Sequence, residues 1–295
     1  MRRMLCIGEC MLEMAPSQGG LYQAGFAGDT FNTAWYARKL ADAQVDIAYM
    51  TAIGEDDASR QLEAFIRAAG ITPEFTYRKD RTIGLYMISL QNGERSFSYW
   101  RGQSAARTLA DDLETLPSVQ SGDLVYFSGI TLAVLPHEGR AKLFAAIKSA
   151  RANGAKVAFD PNLRPRLWTS TDEMRETIMQ GAACADIVLP SFEDEAEWFS
   201  DADSEACAAR YTAAGAAVVV VKNGPGALCL LHHGEITHLA TTPVTNVVDS
   251  TAAGDAFNAG FLVAFENGAT VRDAAGEGCH LAGKVIQQRG ALAEV

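Results

Sequence analysis

The sequence has no apolar run long enough to cross a bilayer as a helix, which excludes a helical membrane protein. Met1-Arg2-Arg3 leads into only a short apolar segment, Met4 to Ile7, with no small-residue cleavage pattern, so a soluble, cytoplasmic chain is expected. It also lacks any C-x-x-C pair. Its six cysteines (Cys6, Cys10, Cys184, Cys207, Cys229, Cys279) are scattered through apolar segments, which speaks against a disulfide framework and suits a reducing compartment. Cys6 and Cys10 share parity in a strand and read as buried small side chains. Positive charge is scarce: 25 Lys and Arg stand against 36 Asp and Glu, a formal net charge of -11. That field repels nucleic acid and anionic membranes, so any phosphate site must be built locally. No G-x-G-x-x-G opens the first β-α unit, and Gly8 stands without partners, which argues against a dinucleotide-dependent dehydrogenase. Internal repeats, low-complexity tracts and linkers are absent as well, so residues 1–295 read as one main domain.

What is present is an alternation. Short β-branched runs (Val45 to Met50, Asp123 to Phe127, Lys156 to Phe159, Asp186 to Leu189, Val218 to Val221) are separated by segments of helical period, Phe31 to Leu40, Ala58 to Ala69, Glu138 to Ala152 and Asp203 to Ala214. The pattern predicts an α/β fold with a doubly wound, mostly parallel sheet, whose ligands bind beyond the carboxyl ends of the strands. Two stretches break the rhythm. Leu85 to Leu90 and Arg95 to Trp100 flank Asn92-Gly93, a hairpin-turn signal because both residues tolerate positive φ. With Met11 to Phe26 they predict a small antiparallel β lid drawn from about 11–26 and 82–101. A second hairpin is expected around His232-His233-Gly234. These histidines and His238 read as a solvated turn rather than a metal site, since no acid or thiol stands at ligand spacing.

The most informative segment runs from Asp249 through Ser250-Thr251-Ala252-Ala253-Gly254-Asp255 to Gly260, where small residues precede a helical pattern. This reads as a tight turn whose backbone N–H groups, from about Ala252 to Asp255, face outward at a helix N-terminus. Such a nest binds anions, and small side chains let a phosphoryl group approach the backbone. Asp255 stands at the same helix start. From the residues alone it is either a helix cap or a catalytic carboxylate, at even weight.

That segment resembles the C-terminal signature of the ribokinase-like carbohydrate kinases, the phosphofructokinase-B family, with Ala252 where the family often has Gly. Gly28-Asp29-Thr30-Phe31-Asn32 resembles the family's glycine-rich substrate segment, with Ala27 replacing the first of two usual glycines. Val220 to Gly226 resembles its nucleotide segment, and Ser191 and Asp194 take the places of Asn and Glu in its N-x-x-E motif. The resemblance implies ATP as phosphoryl donor, Asp255 as the base, and Ala252, Ala253 and Gly254 as the anion cradle. It implies Lys222, Gly224, Gly226 and Ser191 as nucleotide contacts, and magnesium positioned through water by Asp194. A monovalent cation such as potassium is admitted too.

Ile7 to Met11, Gly84 to Tyr86, Tyr99 to Arg101 and Asn162 to Trp168 resemble the branch of the family that phosphorylates 2-keto-3-deoxygluconate. Such a sugar acid carries a carboxylate, which an arginine fork matches, so Arg101 and Arg164 are the expected carboxylate partners. Gly28, Asp29, Asn32, Tyr86 and Tyr99 complete the expected sugar site, the tyrosines combining an apolar wall with a phenolic hydroxyl. Arg166 and Trp168 are read as bracing the loop. A kinase for fructose or another neutral sugar is the alternative; a non-catalytic sensor is disfavoured, having no need of a base at Asp255. Lid sheets with apolar faces often pair, so a homo-oligomer is expected.

Overall fold

The chain opens on β1 (Arg3–Ile7), then β2 (Met11–Pro16) and β3 (Tyr22–Ala27), and enters α1 (Asp29–Leu40). β4 (Asp46–Gly54), α2 (Asp57–Ala68) and β5 (Thr72–Arg78) follow, and the hairpin β6 (Leu85–Gln91) and β7 (Glu94–Trp100) interrupts the alternation. The middle of the chain supplies β8 (Leu124–Ser128), α3 (Gly129–Val134), α4 (His137–Ala152), β9 (Lys156–Asp160), α5 (Thr171–Ala183) and β10 (Ile187–Val188). The remainder supplies α6 (Phe192–Phe199), α7 (Ser204–Ala213), β11 (Val218–Val221), the hairpin β12 (Leu228–His232) and β13 (Glu235–Leu239), α8 (Ala253–Glu266) and α9 (Val271–Val285). This computed structural model describes residues 1–91 and 94–295, with side chains described for 1–89 and 96–295; the turn expected at Asn92-Gly93 lies outside the described residues.

Nine strands form one sheet in the order β13-β12-β11-β10-β9-β8-β1-β4-β5, parallel from β5 to β11 and antiparallel only at β12 and β13. β8 and β11 are buried along their whole length and β1 from Met4 onward, so they read as continuous apolar runs rather than alternating ones. β5 was not expected from the sequence because Pro73 interrupts it; it pairs only with β4, at the sheet edge, where a missing N–H is tolerated. The β12–β13 turn has positive φ at both His233 and Gly234, the conformation that matches strand twist in a two-residue hairpin. All six cysteines are free thiols.

The second sheet has the order β3-β2-β6-β7. β2–β3 and β6–β7 are antiparallel, while the middle pair, β2–β6, is parallel because the two hairpins are laid side by side. Tyr86 and Ile88 are buried, whereas Tyr99 and Trp100 on β7 are about half exposed. No helix among the described residues is long and apolar enough to cross a membrane.

Candidate active site

The parallel strands end on one edge, and five of them deliver a polar residue there. Glu9 follows β1, Ser128 ends β8, Asp160 ends β9, Ser191 follows β10 and Lys222 follows β11. The N-termini of α1 and α8 reach the same edge, which is where ligands of open α/β sheets bind. α8 is apolar nearly all round and buried from Asp255 to Val263, so its first turn is held rigidly at the rim.

Asp255 sits in that turn and is buried. The Asn32 Nδ2 donates to its Oδ2 at 2.8 Å, and the Thr33 hydroxyl donates to its backbone carbonyl at 3.3 Å. Ala252 is the N-cap. The amide of Ala253 donates to the Ser250 carbonyl at 3.2 Å and that of Ala256 to Ala252, while those of Gly254 and Asp255 find no acceptor among the described residues. Ala252 has no acceptor for its amide among the described residues either, so the free donors of the expected cradle are at Ala252, Gly254 and Asp255, with Ala253 turned to Ser250. Burial, and then the nearby Asp29 carboxylate, push the Asp255 carboxyl well above the usual range; the Asn32 hydrogen bond and the Lys222 ammonium oppose this.

Gly28 must lack a side chain, because a Cβ there would lie 2.1 Å from the Glu9 carbonyl oxygen. Its amide donates to Asn32 Oδ1 at 3.3 Å, which turns the Asn32 amide group toward Asp255. Asp29 accepts from Asn162 Nδ2 at 2.9 Å; burial raises its pKa, and hydrogen bonds from Ser128, Thr30 and Asn162 hold it down. Below lies a polar network of which sequence reasoning singled out only Lys222. Asp160 Oδ2 accepts from Lys222 Nζ at 3.0 Å and Asn258 Nδ2 at 2.6 Å; Asn258 Oδ1 in turn accepts from Lys222 at 3.1 Å, and its amide reaches the Tyr126 hydroxyl at 3.0 Å. Two signals could have found it: an acid ending a buried strand, and an amide three residues after Asp255 on an otherwise apolar helix. Lys222 also stands at the cradle, since an atom added to Gly254 would lie 3.7 Å from its Nζ.

A buried carboxylate fixed by an amide, a helix N-terminus with free amides and a flanking ammonium form a site able to hold a polyphosphate against an alcohol. The family model for the pfkB family carbohydrate kinases matches residues 1–295. The chain belongs to the pfkB family of carbohydrate kinases. It is 39% identical over 295 residues to the 2-dehydro-3-deoxygluconokinase of Dickeya dadantii (strain 3937), covering 97% of this chain and 95% of the relative. It is 37% identical over 300 residues to the 2-dehydro-3-deoxygluconokinase of Escherichia coli (strain K12), covering 99% and 97%. Its fold superposes with a TM-score of 0.86 on fructokinase from Vibrio cholerae O395 in fructose, ADP and calcium ion bound form, at 24% identity and covering 99% and 95%.

Around this candidate site the remaining expected residues fall into two groups. On the lid, Tyr86 pairs with Tyr99 across the strands with ring centroids 5.9 Å apart, and the Tyr86 hydroxyl donates to Glu13, so its hydrogen is already engaged. Burial, helped by Glu13, pushes the Tyr86 phenol far above its usual range. Arg101 lies 5.9 Å from the Tyr99 ring centroid, over its face, and forms a buried ion pair with Glu9. On the opposite flank Arg164 is half exposed, donates to the Leu163 carbonyl at 2.6 Å and approaches Asp194 at 3.6 Å. Ser191 opens α6 and bridges to Lys222, and Gly224 has positive φ in the turn after β11, with Gly226 donating back to Asn223 at 2.7 Å. Trp168 carries the Arg140 guanidinium 5.2 Å from its ring centroid, the loop brace expected of it.

Burial raises the pKa of Asp194, Arg164 lowers it, and Asp160 and Glu193 raise it again. This local surplus of negative charge suits a divalent cation. Among the described residues, Glu195, Asp201 and Cys207 are the group with ligand atoms close enough to share an ion, but Arg210 already pairs with both acids, Glu195 at 2.7 Å. A concavity of about 450 Å³ beside Asp80, Arg81, Gln103, Arg107 and Pro136 shares no residue with the Asp255 cluster.

Proposed function

We propose that this kinase transfers the γ-phosphoryl group of ATP to the terminal hydroxyl of 2-keto-3-deoxygluconate, giving 2-keto-3-deoxy-6-phosphogluconate and ADP. The observation that carries the reading is the placement of the buried Asp255 carboxylate, fixed by Asn32, in the same helical turn as the free amides of Gly254 and Asp255. The acceptor oxygen forms its bond to the γ-phosphorus, the bond from that phosphorus to the bridging oxygen breaks, and the acceptor's proton goes to Asp255. The cradle amides and Lys222 stabilise charge on the transferring group. The carboxyl pKa raised by burial makes the ionised Asp255 a stronger proton acceptor than an ordinary aspartate.

Substrate choice rests on the 2-dehydro-3-deoxygluconokinase names of the relatives and on two arginines, Arg101 and Arg164, that flank the cluster as carboxylate partners. Gly28, Asp29 and Asn32 face the sugar from α1, and the Tyr86–Tyr99 pair covers it from the lid. Magnesium is assigned to Asp194, where it would neutralise phosphate charge. Two copies of the chain associate through the lid face that carries Trp100 and Tyr22, opposite to Tyr86 and Tyr99.

ADP release measured with 2-keto-3-deoxygluconate, fructose, tagatose and ribose tests the substrate. The sugar acid should give the highest kcat/KM, and preference for a neutral sugar refutes the assignment. Asp255→Asn should lower kcat by at least about 10²-fold with ATP binding retained, whereas wild-type turnover removes the base role.

A further inference from the structure

Contacts run without a break from Asp255 through Asn32 and Gly28 to Glu9, whose carbonyl Gly28 rests on, and from Glu9 to Arg101. Glu9 has no place in the phosphoryl-transfer chemistry described above, yet its side chain is 1% exposed. An ionised carboxylate survives such burial only when it is paired. Its partner is the Arg101 guanidinium, itself 12% exposed, and its Oε1 accepts from the Ser104 hydroxyl. The space around the pair is shaped for it. A Cβ on Gly84 would lie 2.9 Å from Glu9 Oε1 and 3.2 Å from Arg101 Cβ, so Gly84 keeps clear the place where acid and guanidinium meet.

The pair leaves a donor over. Arg101 Nη2 is taken up by Glu9 Oε2 in the ion pair, whereas Nε is buried with no acceptor among the described residues. A buried guanidinium N–H without an acceptor is costly, and a carboxylate oxygen is the acceptor that best satisfies it.

We infer that Glu9 is a positioning residue: it neutralises and orients Arg101 in the free enzyme so that the remaining guanidinium donor faces the carboxylate of the sugar acid. The inference rests on the proposed sugar-acid substrate and goes beyond it in assigning the discrimination to a carboxylate that never touches the sugar. Without Glu9 the guanidinium loses its anchor, the substrate carboxylate must order it on binding, and ground-state and transition-state affinity fall together.

Steady-state kinetics of Glu9→Gln, Arg101→Ala and the double variant, with 2-keto-3-deoxygluconate and ATP each varied, test this. Glu9→Gln should raise KM for the sugar acid by about tenfold or more, the loss expected for one charge-assisted hydrogen bond, with a much smaller change in kcat and none in KM for ATP. In the Arg101→Ala background the same substitution should add nothing, because its effect passes through the guanidinium. An unchanged sugar KM in Glu9→Gln, or effects that multiply in the double variant, overturns the assignment. If Glu9→Gln does not fold, Ser104→Ala provides the same reading: it removes the hydrogen bond to Glu9 and should raise the sugar-acid KM alone. An unaltered KM there counts against the inference. Wild-type enzyme that ignores the sugar acid overturns the substrate assignment and this inference together, whereas an active wild type with an indifferent Glu9→Gln overturns this one only.

Discussion

Asp255 is placed where burial disfavours its charge, so the base role proposed for it and stability pull against each other at this residue. Its folded pKa lies above that of an unfolded aspartate, about 3.9. Between those two values the native state holds more protons than the unfolded chain, so stability falls as pH rises through the window and is fully present below it. Asp255→Asn removes the penalty while keeping an oxygen that accepts from Asn32. The variant should melt higher than wild type near pH 8, by roughly 2–4 °C for each kcal/mol of burial penalty removed, and the gap should close toward pH 4. Calorimetry at the two pH values checks this; a variant less stable than wild type near pH 8 contradicts the burial argument.

Among the elements, α6 carries Ser191 and Asp194 at its start and must be held against α7 for them to stay at the rim. Arg210 provides the hold. It reaches Glu195 at 2.7 Å and Asp201, and its guanidinium lies 3.8 Å from the Phe199 ring centroid and 4.3 Å from that of Tyr211. Glu195 is fully buried and accepts from the Tyr211 hydroxyl at 2.9 Å. Arg210→Ala strands that acid, and breaking a buried pair from one side costs about 3–5 kcal/mol. Urea titration should show a lower midpoint with an unchanged slope. Retention of the wild-type midpoint would mean the pair contributes nothing. α1 and α8 show a different dependence: neither alone forms a site, and the Asn32–Asp255 contact across 223 positions exists only because both helices start on one sheet edge.

For the whole molecule, the lid sheet is the feature with surface left over. Leu21, Tyr22, Tyr99 and Trp100 are among the most exposed large apolar and aromatic side chains, and all belong to it or its turn. Strand parity puts Trp100 and Tyr22 on the side away from Tyr86, so one lid face can serve the sugar and the other a second copy. Sedimentation should give a mass twice that of the 31.6 kDa chain, and Trp100→Glu should halve it. A wild-type monomer at micromolar concentration ends the pairing proposal.

The parts of this protein legible in the sequence were those written in short-range chemistry. The valine run of β11, the helical periods of α1 and α4 and the small-residue turn before Asp255 each follow from backbone sterics and amphipathic period acting within a dozen residues. β5 was not legible, because Pro73 speaks against a strand and only an edge position beside β4 reverses that. Partners were not legible either. Whether Arg101 would meet Glu9, Arg164 meet Asp194 or Lys222 turn to Asp160 depends on which strand ends lie side by side, and strand order is a property of the folded sheet. The chain sequence therefore determined most of the elements and the family, and singled out Asp255. The tertiary structure alone decided the electrostatics, since burial and charge neighbours are set by residues distant in sequence brought together in space.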